Sequence, residues 1–146
     1  MADEDANRVP ELYANHLRTL RNRLPFRVRR FLEEINLHDG RVQDVAVDQV
    51  AHTLRLRIRA GDQQVGYYDA DLLYLDATPE PQTVAVLEKM HREPGYDLLY
   101  DELDIVDSNQ LVHRLMFFPE DEVSICFRDL SWQRTPRGNR SDASAV

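Results

Sequence analysis

From Glu11 onward the apolar residues Tyr13, Leu17, Leu20 and Leu24 recur at helical spacing with arginines between them. This is the pattern of an amphipathic helix over about 11–23. Pro25 interrupts it and suits the first turn of a second helix, whose stripe is Val28, Phe31, Leu32 and Ile35. Asn36 and the Asp39-Gly40 pair end that helix. From Val42 the period changes to two. Leu54, Leu56 and Ile58 alternate with Arg55, Arg57 and Arg59, which predicts a half-exposed antiparallel strand with its guanidinium groups facing water. Val45 and Val47 mark a partner strand joined to it by a turn over 49–52, and Gly61-Asp62 turns the chain into a third strand over 65–75.

Thr78, Pro79 and Pro81 break the sheet, and Val84, Leu87 and Met90 mark a short helix stopped by Pro94-Gly95. A second strand group follows over 96–106, 110–118 and 122–132, with Asp107-Ser108-Asn109 and Pro119-Glu120-Asp121 as turns. Short connections imply antiparallel neighbours. The predicted fold is α+β: a mostly antiparallel sheet of about six strands in two meanders, able to curl. Two N-terminal helices pack on one face, and the short helix lies between the meanders. The polar ends, 1–8 and 134–146, read as disordered tails of a single domain over 9–133.

A chain of 146 residues is long enough to bury a core without staples. Its lone cysteine, Cys126, lies in the run Val123-Ser124-Ile125-Cys126-Phe127, which reads as a buried strand and fits a reducing, cytoplasmic setting. The acidic opening Met1-Ala2-Asp3-Glu4-Asp5 lacks a signal-peptide pattern, and no apolar run approaches the roughly 18 residues of a membrane span. The formal charge of −8 argues against a nucleic-acid binder. Charge is also segregated. Residues 8–30 hold seven arginines against Glu11, whereas residues 61–107 hold twelve carboxylates against Lys89 and Arg92. Such a distribution describes either solvated faces that complement one another within the fold or across a homodimer, or an acidic docking surface for a basic partner.

Two constellations carry candidate chemistry. Leu37-His38-Asp39-Gly40 falls where the second helix gives way to the first strand, so His38 and Asp39 are held between rigid elements. The plain alternative is a turn in which Gly40 supplies an unusual dihedral. The second is Tyr100-Asp101-Glu102 with His113, since a hairpin at Asp107-Ser108-Asn109 would set Glu102 close to opposite His113. With His38 and Asp39, that pair would suit acid/base chemistry or a metal site, although it equally describes a structural polar knot. Asp97 and Asp104 extend the acidic strand.

Asp69 and Asp71 share a strand face and read as solvated carboxylates. Asp129 with Arg114 or Arg128 reads as a surface ion pair, and Trp132 as an apolar plug. No phosphate loop, nucleophile elbow or paired-cysteine spacing occurs, so neither a cofactor nor a metal is expected.

The run Leu37-His38-Asp39-Gly40-Arg41-Val42, the alternating strand over 53–58 and Gly66-Tyr67-Tyr68-Asp69 resemble the opening of small bacterial protein families of unknown function. Leu99-Tyr100-Asp101-Glu102, His113-Arg114-Leu115 and Phe127-Arg128-Asp129-Leu130 resemble their C-terminal half. Some of those families are grouped with immunity proteins of polymorphic toxin systems. The resemblance covers 37–132 and implies a non-enzymatic, immunity-like module docking a basic toxin through an acidic surface. The alternatives are a small metal-dependent hydrolase or ligand-binding enzyme using His38, Asp39, Glu102 and His113, and a structural homodimer subunit.

Overall fold

A computed structural model describes residues 2–138, with side chains for 11–20 and 22–138. Helix α1 spans Ala2–Leu20 and passes through a 3-10 turn, Arg21–Arg23, into α2, Phe26–Glu34. Strands β1 (Arg41–Asp48), β2 (Thr53–Asp62) and β3 (Gly66–Leu75) follow, then α3 (Pro81–Arg92). The chain continues through β4 (Asp97–Asp107), β5 (Gln110–Phe118), β6 (Glu122–Phe127) and β7 (Asp129–Arg137). The first helix, expected from about residue 11, starts earlier, so that Pro10 falls inside α1. Of the expected tails, 2–8 fall within α1 and 134–137 within β7, while Met1 and 139–146 lie outside the described residues.

The α+β class and the antiparallel pairing hold, but the single sheet does not. There are two sheets, β1-β2-β3-β7 and β4-β5-β6. The division comes from the strand expected over 122–132, which breaks at Arg128. Val123, Ile125 and Phe127 are buried at odd positions, then Leu130 is buried at an even one. One continuous strand cannot bury both sets, because side chains alternate faces. Arg128 donates its amide to the Leu75 carbonyl, and β7 then pairs along β3 from Leu75↔Asp129 to Tyr67↔Arg137.

The sheets also touch at the other end of the order. Gly40 forms an isolated antiparallel bridge with Leu98, whose amide donates to the Gly40 carbonyl over 2.7 Å. The two sheets are thus linked through the β6–β7 chain and the Gly40 bridge, without closing into a barrel. Their apolar faces supply Leu54, Leu56, Ile58 and Leu72 on one side and Leu98, Leu103, Leu115 and Phe127 on the other, all buried. Helix α2 spans the two: Phe31, 1% exposed, meets His113 of β5 edge-on at 5.9 Å and Trp132 of β7 at 6.3 Å between ring centroids. Trp132 is partly exposed, and its indole N–H donates to the Arg27 carbonyl. Helix α3 packs against β1 and β6.

Three expectations of exposure and pairing are corrected. Cys126 alternates outward between Ile125 and Phe127 and is exposed rather than buried. Arg55 and Arg57 do face water, but Arg59 is only 2% exposed and pairs at 2.5 Å with Asp69, itself 2% exposed. Arg137 adds a second guanidinium to Asp69 at 2.7 Å. Asp71 pairs with Arg57, and Asp129 with Arg27 of α2 rather than with Arg114 or Arg128.

Candidate functional site

The helix-to-sheet junction is a turn built around the bridge to β4. Asp39 takes the left-handed conformation, with φ of 63°, which a short polar side chain tolerates. Gly40 therefore does not supply the unusual dihedral. It is needed for lack of a side chain: a Cβ there would lie 2.7 Å from Ile58 Cγ2 and 2.8 Å from the Leu37 carbonyl oxygen. His38 and Asp39 are both exposed, their side chains 3.6 Å apart, and His38 Nδ1 lies 2.6 Å from the Leu99 carbonyl. That bond pins the turn to β4.

The acidic strand β4 carries Asp97, Tyr100, Asp101, Glu102 and Asp104, but the register departs by one from the expected hairpin. Asp107 pairs with Gln110, and past a bulge at Val106 Leu103 faces His113 and Glu102 faces Arg114, where an unbulged ladder would set Asp104 opposite His113. The carboxylate that reaches His113 is that of Asp101, diagonally across the ladder, with Oδ2 at 2.7 Å from Nε2. On its other side, His113 Nδ1 lies 2.7 Å from the Tyr74 hydroxyl of β3. The relay therefore joins the two sheets. His113 and Tyr74 are inaccessible to solvent and Asp101 is partly exposed.

A neutral ring satisfies all three groups at once: Tyr74 donates to Nδ1, and Nε2–H donates to the Asp101 carboxylate. Burial, and then the charge of Asp101, push the Tyr74 phenol well above its usual range. With the Tyr74 hydroxyl and both ring nitrogens used internally and the imidazole sealed in the core, the arrangement is a polar brace between sheets. Sequence reasoning found His113 and Asp101 as members of the cluster but missed Tyr74. Its only signal was a hydroxyl among the inward positions of β3.

Three further acids of β4 are paired, while Asp107 only accepts the Asn109 amide in the turn. Asp97 pairs with Arg41 at 3.0 Å, and Arg114 stands 3.7 Å from Glu102 and 4.0 Å from Asp104. Asp104 also meets His16 of α1 at 3.0 Å. Partial burial opposes ionisation of Asp104, but His16, the Ile105 amide and Arg114 together hold its carboxyl below the usual range. Burial, helped by the charges of Glu102 and Asp101, pushes the Tyr100 phenol up to about 12. Among the described residues, no group of three or more His, Cys, Asp or Glu side chains is placed to hold a metal ion. His38 and Asp39 on the surface, Glu102 beside Arg114 and His113 in the core do not assemble into the constellation expected of a hydrolase.

Four further acids lie around α3. Asp48 closes β1, Asp76 and Glu80 flank the linker into α3, and Glu88 lies on α3. All four are exposed, and none forms an ion pair among the described residues. Asp48 Oδ1 accepts the amides of Val50 and Ala51, which orders the β1–β2 turn. Asp48 and Glu88 line one cleft of about 610 Å³ with Val47, Ala77, Pro79 and Val84. Comparison with family models, curated proteins and solved structures matches the chain to none of them. No helix among the described residues is long and apolar enough to cross a membrane.

Proposed function

We propose that the chain is a non-enzymatic binding module for a basic protein partner, as in the immunity-like role that residues 37–132 suggest. The observation that carries the reading is the division of its carboxylates. Asp97, Asp101, Glu102 and Asp104 of β4 are taken up by Arg41, His113, Arg114 and His16, whereas Asp48, Asp76, Glu80 and Glu88 around α3 form no ion pair among the described residues. Uncompensated like charges next to one another cost stability, and a cationic partner relieves that cost. The docking surface therefore moves from β4, where the acidic run drew attention, to the region of α3. A net charge of −8 would steer such a partner and make association fall steeply with salt.

The test is co-purification with the full chain, mass-spectrometric identification of what binds, and measurement of its affinity at several salt concentrations. A basic partner whose affinity falls with salt and weakens in Glu80→Lys and Glu88→Lys chains is expected. A partner that is neutral or acidic, or whose binding ignores both reversals, overturns the reading.

A further inference from the structure

The cleft between β1, the 49–52 turn and α3 has a more specific chemistry than the acidic region around it. Its floor is apolar, from Val47, Ala77, Pro79 and Val84, its acidic lining is Asp48 and Glu88, and His52 is the one basic side chain beside them, with no lysine or arginine. Volumes of several hundred Å³ with an apolar lining and a few placed polar groups are usual for binding pockets. The walls are ordered by the protein's own bonds: Asp48 caps its turn, and the Ala77 amide donates to the His52 carbonyl over 2.8 Å. Val50, 92% exposed at the turn, extends the apolar surface beyond the cleft. Asp76 and Glu80, adjacent in the chain to Ala77 and Pro81 of the lining, extend the acidic rim.

We infer that this cleft takes a short extended segment of the partner polypeptide in which arginine or lysine alternates with aliphatic residues. The aliphatic side chains, together with the methylene stems of the cations, cover the floor. The cationic heads then reach Asp48 and Glu88 at the rim. The exposed Val50 and the outlying carboxylates favour a polypeptide over a compact small cation, because they offer apolar and acidic contact beyond the cleft. The inference rests on the binding reading above, and deepens it by naming the site and the chemistry of what fills it.

The probe is a five-residue blocked peptide alternating arginine with leucine and valine, titrated into the full chain by calorimetry and by amide NMR. Its counterpart with glutamate for arginine, and spermidine, serve as comparisons. Amide shifts confined to 47–52 and 77–88 are expected, with affinity roughly fivefold or more weaker in Glu88→Lys, whose exposed site should leave the fold intact. Shifts elsewhere, indifference to Glu88→Lys, or spermidine binding as well as the peptide would each overturn the inference. So would concentration-dependent dimerisation abolished by Glu88→Lys, which would make a second copy the occupant. A co-purified basic partner that still responds to Glu80→Lys but not to Glu88→Lys removes the cleft while leaving the binding reading in place.

Discussion

Tyr74 and His113 meet through a 2.7 Å hydrogen bond that joins β3 to β5 across the core, and neither side chain is reached by solvent. Tyr74→Phe would keep the ring and strand its partner's Nδ1, an unsatisfied buried acceptor worth about 1–3 kcal/mol. Urea unfolding should register that loss. Nitrogen NMR of the native chain should find Nε2 protonated and Nδ1 bare; a proton on Nδ1 would contradict the brace. The phenol also gives the alkaline limb its sign. Its folded pKa is raised, so the stability it contributes is complete below the unfolded value, near 10, and is lost as pH rises beyond it. Tyr74→Phe should flatten that decline.

At the acid end the corresponding group is Asp69. Burial favours its protonated form, but the hydrogen bonds and charges of Arg59 and Arg137 outweigh burial and hold the carboxyl below its ordinary range. A depressed carboxylate stabilises the fold above its unfolded pKa, near 3.9, and that contribution fades as pH falls through the folded value. Asp69→Asn leaves two guanidiniums around a neutral amide and should cost about 3–5 kcal/mol at neutral pH. The variant's stability should also vary less with pH below 4 than the parent's. An acid limb unchanged in slope would show that other carboxylates govern it.

How far the sequence revealed this arrangement depended on whether the deciding feature was periodic. The stripe Val28, Phe31 and Ile35 and the alternation through Leu54, Leu56 and Ile58 are local repeats, and they located α2 and β2. The second sheet was hidden because it depends on one phase change, Phe127 to Leu130, read as part of a continuous strand. The site was blurred by a single residue. Counted straight from Asp107↔Gln110, His113 would face Asp104; the bulge at Val106 sets Leu103 opposite it, with Glu102 on the other face, so Asp101 on the diagonal becomes its carboxylate partner. Bulges are specified by packing and twist rather than by a residue pattern. Burial of Arg59 and Asp69 escaped notice for a related reason. Their strand face is outward, and only register with Arg137 on the separately derived β7 marks it as an ionic cluster.

Gly40 offers a test of the junction between sheets. The nearest atoms to an added Cβ are Ile58 Cγ2 and the Leu37 carbonyl, and the latter is backbone that accepts Gly40's own amide. Gly40→Ala must therefore push β2 away or open the bridge to Leu98, at a cost of about 1–3 kcal/mol. Gly66→Ala is the comparison. Nothing lies within 4 Å of its Cβ, and only its φ of 87° resists, which costs about 1–2 kcal/mol. Hydrogen exchange separates the two, because Gly40→Ala alone should speed exchange at the Asp39 and Leu98 amides, which bond across the bridge. Equal protection of those amides in both variants would mean that the bridge does not depend on the absence of a side chain.

Helix α1 is fastened to β4 in an analogous way, by a side chain standing in for a strand. The Tyr13 hydroxyl accepts the Leu103 amide and donates to the Leu103 carbonyl, so it satisfies both backbone groups of a residue on the strand's edge. Burial pushes the Tyr13 phenol well above its usual range, which keeps the donor in place at neutral pH. Tyr13 also packs edge-on to Tyr100, with ring centroids 6.1 Å apart, and one turn along the helix His16 meets Asp104. Tyr13→Phe preserves the ring contact and removes only the clamp. The Leu103 amide should then exchange faster with solvent, and stability should fall by about 1 kcal/mol. His16→Ala removes an exposed pair and should cost less. If Leu103 keeps its protection in Tyr13→Phe, the hydroxyl is not what covers that edge of β4, and α1 is held by its apolar contacts and the His16–Asp104 pair.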